Sequence, residues 1–175
     1  MPIALAPSDL ARIARCSAGT AIDERCSAFV AALWPTLSAA GASWAGFYVD
    51  RPGAPDAERL VLGAREPKPA CSPIGLHGAC GRCLLSRSIL VVRDVASLGA
   101  GYVACDPRDR SELVLPCLRA DGSAWGVFDL DSFDVGCFSE ADGRVLWTAL
   151  VTAGLTAAGI AWHGAAIGRV QTDVI

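Results

Sequence analysis

Lysine is nearly missing from this chain: Lys68 is the single one among 15 Lys and Arg residues, a bias that reflects genome composition more than any ligand. A surplus of positive charge is missing too, since those 15 face 18 acidic residues and leave a net charge of −3. Binding along a nucleic-acid backbone needs a basic stripe to neutralise phosphates, and none is present. Histidine is scarce, with only His77 and His163. The chain has no internal repeats and no low-complexity tract. Residues 1–15, which carry Pro2, Pro7, Asp9 and Arg12, offer no apolar run of the kind a secretory leader has.

What is present is apolar bulk. The 175 residues are 53% hydrophobic and 19% charged, which excludes a disordered chain and suffices for one domain with a sizeable core. The expected domain spans residues 21–162, after an N-terminal segment, 1–20, and before a C-terminal tail, 163–175. Eight cysteines occur, at 16, 26, 71, 80, 83, 105, 117 and 137. Disulfide scaffolds are generally shorter, less apolar and preceded by a leader, so the expected setting is a reducing cytoplasm in which most thiols fill the core.

Residues 145–162 form an uncharged run of 18, long enough to raise a membrane span. Its content argues otherwise, because Ala, Gly and Thr fill about half of it and contribute little to insertion. Phe138-Ser139 followed by Glu140 and Asp142 gives the start signal of a helix in a water-soluble protein. The run is therefore expected to be a buried or dimer-facing helix, with no membrane partner.

Periodicity orders the rest. Residues 21–40 place Ile22, Phe29, Val30, Leu33, Trp34 and Leu37 at helical spacing behind an acidic start, with Pro35 expected to kink or restart the helix. Residues 43–49 read as an aromatic strand that pairs as a hairpin with 59–62. A long loop is expected over 63–81 and another irregular stretch over 94–109, and loops of that length tend to be functional. Residues 80–86 read as a short helix and 88–92 as a buried strand. Strands over 111–118 and 125–130 are joined by an Asp121-Gly122 turn. The result is an α+β domain on an antiparallel sheet.

The loops carry Cys71, Cys80 and Cys105, where a substrate or a second thiol can approach. Cys16, Cys26, Cys117 and Cys137 read as fillers. Cys80-Gly-Arg-Cys83 has the spacing of a redox dithiol or half a zinc site, but no second ligand pair accompanies it and no metal site is expected. Carboxylates form a second cluster. Asp129 and Asp131 emerge on one face of a strand, and Glu112 joins them if the neighbouring strand faces the same way. Such a trio suits an ammonium group, and a protonated member can donate to a leaving oxygen. The alternative is three solvent-facing acids. Trp44 and Tyr48 share one face of the first strand and either wall a small apolar or thioether group or serve as ordinary core aromatics.

The ordered set Ser43-Trp-Ala-Gly-Phe-Tyr48, Lys68-Pro-Ala-Cys71, Gly78-Ala-Cys80-Gly81, Val103-Ala-Cys105-Asp106, Arg110-Ser-Glu-Leu-Val-Leu-Pro116 and Gly126-Val-Phe-Asp-Leu-Asp-Ser132 closely resembles the GAF-domain free methionine-(R)-sulfoxide reductases. The resemblance covers about residues 20–160. It implies a GAF fold, with a central antiparallel sheet of about six strands flanked by helices, usually as a homodimer.

It further implies that Cys105 attacks the sulfoxide sulfur and becomes a sulfenic acid, that Cys71 condenses with it to a disulfide, and that thioredoxin reduces the disulfide. Cys80 matches an additional redox-active cysteine. Asp129 and Asp131 match residues that hold the substrate ammonium, Glu112 one that orients or protonates the sulfoxide oxygen, and Trp44 and Tyr48 an aromatic wall. No cofactor is implied.

Three departures stand out. Cys71 and Cys80 are one position closer than in the family pattern. His77 stands where Arg is common, and Gly101-Tyr102 replaces Gly-His, removing a polar ring beside the nucleophile. The rival expectations are a GAF module that binds a small molecule without turnover and a thiol redox sensor using the same cysteines. A sensor module normally sits beside an output domain, for which this length leaves no room.

Overall fold

The computed structural model describes residues 2–15, 21–99, 102 and 104–158. Cys16, Gly101, Val103, His163, the end of the apolar run (159–162) and the expected tail (163–175) lie outside that set.

Five strands make one antiparallel sheet in the order β2-β1-β5-β4-β3. They are β1 (Trp44–Asp50), β2 (Leu60–Glu66), β3 (Leu90–Val92), β4 (Ser111–Leu118) and β5 (Ala124–Ser132). The count is five rather than about six. The expected long loop also starts later, because β2 runs on to Glu66 opposite Ala45 of β1 and consumes residues 63–66.

Alternation along the strands sorts the two faces. On one face Ala45, Phe47, Leu113, Leu115, Cys117, Phe128 and Leu130 join the larger core. Phe29 of α2 (Ile22–Ala39) meets Phe128 edge-on at 5.3 Å between ring centroids, a favoured aromatic geometry. Helices α1 (Pro7–Arg15), α2 and α4 (Glu140–Thr152) cover this side. Helix α1, in the segment read as preceding the domain, buries Ile13 in the same core, and the Ile3 backbone N–H donates to Asp142 at 2.6 Å.

Helix α2 passes through Pro35 without a break. Pro35 lies on its exposed side and so does Ala31, whose carbonyl loses its intrahelical donor. On the exposed side that oxygen is open to solvent, so the proline costs the helix one hydrogen bond and not its continuity.

Helix α4 starts as its sequence requires, with Ser139 and Asp142 forming a reciprocal capping box over buried Phe138. It ends at Thr152, well before the end of the apolar run, and Gly154 beyond it has φ of +64°. Among the described residues no helix is long and apolar enough to cross a membrane.

On the opposite face lie Trp44, Tyr48, Val114 and Val127, covered by α3 (Ala79–Ser86) and the loop over 67–78. This cover is smaller than the three-helix side and leaves a cleft over the strand ends.

Candidate active site

The cleft has a volume of about 260 Å³. Its floor is Tyr48 of β1, Glu112 of β4 and Asp129 and Asp131 of β5, and its walls include Cys71, His77, Ala79, Cys80, Tyr102 and Cys105. Register brings the acids together: Glu112 pairs with Asp131, and Asp129 pairs with Val114 on one side and Gly46 on the other. All three carboxylates point to the α3 face and are 5–8% exposed. The solvent-facing alternative is thereby overturned. Gly46 keeps this floor low, because a Cβ there would lie 2.5 Å from the Trp44 ring.

Burial without cationic partners sets their ionisation. Desolvation, then repulsion from Asp129, pushes Glu112 well above the usual carboxyl range. Desolvation and the neighbouring acids do the same to Asp131. Asp129 is raised by burial to about 7, held from rising further by the Cys80 thiol, which donates to its Oδ2 at 3.1 Å. Burial thus favours the neutral form of Glu112 and Asp131 and raises Asp129 to about 7. Two buried oxygens have no partner among the described residues, Oε2 of Glu112 and Oδ1 of Asp129. A protonated Glu112 offers a donor and ionised Asp129 an acceptor for a cation.

The cysteines divide by place. Cys71 and Cys105 are free and exposed at the rim, within hydrogen-bond reach of each other. Partial burial of the Cys105 thiol, then its contact with Cys71, pushes it up to about 12. Cys80 and Cys83 are buried in α3 and pushed up by desolvation. Cys26 and Cys117 are buried in the larger core, as fillers should be. No cluster of three or more metal-binding side chains occurs among the described residues.

The aromatic pair has a role that the sequence did not show. Trp44 and Tyr48 lie side by side with ring centroids 6.0 Å apart, and each buried donor ties down the cysteine loop. Trp44 Nε1 donates to the Lys68 carbonyl and Tyr48 Oη to the Cys71 carbonyl, both at 2.9 Å. Tyr48 also lines the cleft. Trp44 instead walls a small annex of about 40 Å³ that opens on Cys105 and Asp131.

Further residues join the site in ways that composition and periodicity did not show. Lys68 pairs with Asp106, which Arg108 and Lys68 together hold below the usual carboxylate range. Asp109 is buried in the annex beside Asp131. Tyr102 does not leave the site without a polar ring: its hydroxyl donates to Glu112 Oε1.

No family model matches the chain. A solved protein from Burkholderia vietnamiensis designated a GAF sensor is 32% identical, with a TM-score of 0.68 over 87% of this chain and 96% of that one. The free methionine-R-sulfoxide reductase of Saccharomyces cerevisiae is 36% identical over 59% of this chain and 57% of its own length. The enzyme of that name from Neisseria meningitidis, solved with its substrate, is 26% identical, with a TM-score of 0.71 over 88% of this chain and 93% of that one. The chain belongs to the GAF-domain family, and it is similar to the free methionine-R-sulfoxide reductases within it.

The match spans less than two thirds of the length of the curated relatives. In this GAF domain the buried acids and rim cysteines line one cleft.

Proposed function

We propose that this chain reduces free methionine-R-sulfoxide to methionine. The observation that carries the reading is the pair of unpartnered buried oxygens, Glu112 Oε2 and Asp129 Oδ1, beside a thiol pair. The ligand they describe has a cationic donor for Asp129 and an oxygen acceptor for Glu112. A free amino-acid sulfoxide supplies both, its ammonium on Asp129 and Asp131 and its S=O oxygen on Glu112. The substrate carboxylate then faces the first turn of α3, where Ala79 and Cys80 line the cleft and no side chain caps the helix.

Cys105 Sγ bonds to the sulfoxide sulfur while Glu112 gives its proton to the oxygen. A thiol pushed up to about 12 is a poor nucleophile until the sulfoxide is made electrophilic, so protonation by Glu112 and attack belong to one event. The hydroxyl then passes from the substrate sulfur to Cys105 Sγ as the bond between the two sulfurs breaks, giving methionine and a Cys105 sulfenic acid, and the Cys105 thiol proton returns to Glu112. The Cys71 thiol then attacks the sulfenic sulfur, expels water and forms a disulfide. A dithiol protein such as thioredoxin returns both thiols by exchange. Cys80 first serves to hold Asp129 and can act as a second resolving thiol if the loop shifts. A homodimer working in a reducing cytoplasm belongs to the same proposal.

The test is an assay of purified protein on the separate R and S epimers of free methionine sulfoxide, with a dithiol reductant, and on the same sulfoxide within a peptide. Reduction of the free R epimer alone is expected, since an amide leaves the acids without a cation. Equal turnover of the peptide overturns the reading. Methionine binding without turnover favours the small-molecule sensor, and a peroxide-driven disulfide without methionine release favours the thiol sensor.

A further inference from the structure

We propose that Tyr102 is a positioning residue for Glu112: its hydroxyl, bonded to Oε1, confines the acid's proton to Oε2, the oxygen left for a ligand in the cleft. This rests on the reading of Glu112 as a proton donor and adds the group that aims it.

The argument is one of donors and acceptors. Four titratable groups face Glu112 from the elements packed against it: Asp129 and Asp131 from β5, Cys80 from α3, and Tyr102 from the segment ahead of Cys105. The Cys80 thiol is committed to Asp129, and the two aspartates are acids like Glu112. β3 contributes only Val92, in register with Glu112. The phenol is therefore the neutral O–H donor on Glu112 among the described residues. A protonated carboxyl has one carbonyl and one hydroxyl oxygen, and a phenol that donates to Oε1 makes Oε1 the carbonyl. The proton then sits on Oε2, which has no protein partner and belongs to a residue of the cleft floor.

The same bond changes during the reaction. Once Glu112 gives up its proton it is a buried carboxylate beside Asp129, an unfavourable state. The Tyr102 bond then becomes charge-assisted and about twice as strong, so it stabilises the product of proton transfer more than the starting acid. Tyr102 is thereby expected to act on turnover and not on binding.

Tyr102→Phe keeps the ring, which also walls a side cavity of about 110 Å³ lined by His77, Arg82 and Leu98. The expected result is a kcat lower by about tenfold or more with KM changed less than about twofold. Infrared spectroscopy across a pH titration supplies a readout besides activity. The carbonyl band of protonated Glu112, assigned by its loss in Glu112→Gln, is expected to move to higher wavenumber in Tyr102→Phe and to persist to higher pH.

An unmoved band overturns the proposal even if activity falls, because the ring is then only a wall. Absence of a protonated Glu112 band in the wild type at neutral pH overturns it as well. If the wild type fails to reduce the sulfoxide but the band moves as described, the placement of the proton stands and the proposed activity falls.

Discussion

At the residue scale, three carboxyls of similar burial are separated by their partners. Asp129 keeps an acceptor free and is raised to about 7, whereas burial and the neighbouring Asp129 favour the protonated form of Glu112. Asp129→Asn is expected to weaken methionine binding by ~10–150-fold, the equivalent of a charge-assisted hydrogen bond worth about 1.5–3 kcal/mol, with kcat less affected. Glu112→Gln should lower kcat more than affinity, because an amide donates a hydrogen bond but gives up no proton. Steady-state kinetics and calorimetric titration with methionine separate the two. The pH dependence follows from the same group. Ammonium binding needs ionised Asp129, so affinity for methionine should rise about tenfold per pH unit below about 7 and level off above it. Cys105→Ser should release no methionine, while Cys71→Ser should release one per site and stall, outcomes that rapid-quench counting without reductant distinguishes.

At the element scale, the cysteine loop is a lid tied to β1 and leaning on α3. Trp44 and Tyr48 hold it through the Lys68 and Cys71 carbonyls, which places Cys71 beside Cys105. Tyr48→Phe removes one tie and leaves the Cys71 carbonyl to water. Slower disulfide formation after methionine release is expected, measurable as the rate of thiol loss in a single turnover. At the other end, Gly81 of α3 lets the helix meet the loop backbone: a Cβ there would lie 2.2 Å from Leu76. Gly81→Ala must push helix and loop apart, and overpacking of that kind costs about 1–3 kcal/mol. Thermal unfolding with and without methionine checks it, and a variant as stable as the wild type would show that the two segments separate freely.

At the scale of the whole molecule, one face of the sheet is spent on stability and the other on the site. The buried acids oppose the fold once ionised. A carboxyl with a raised pKa in the folded state contributes stability that is complete below its unfolded value and is lost as pH rises through the folded one. For Asp129 that window runs from 3.8 to about 7, and Glu112 and Asp131 extend it upward. The ligand-free protein should therefore lose thermal stability as pH rises from about 4 to 8, by up to about 1.4 kcal/mol per pH unit for each group titrating. Asp129→Asn should flatten the lower part of that slope. Asp106, shifted the other way by its cations, acts only below the window.

The sequence by itself determined the local elements and the order of the chemistry-bearing residues. The Asp121-Gly122 turn joined β4 and β5, period-two alternation put Asp129 and Asp131 on one face of β5, and Ser139 with Asp142 started α4, all through relations within a few residues. Only the tertiary structure decided that Glu112 and the aspartates converge, because the register of two strands depends on which face finds a core. It alone decided that Pro35 is tolerated, since an exposed carbonyl can turn to water. The burial of Asp109 and the bond from Tyr102 to Glu112 were not legible either. Both residues lie in an irregular segment whose path is set by distant partners, Ser43 and Glu112, and no periodicity in the chain records such contacts.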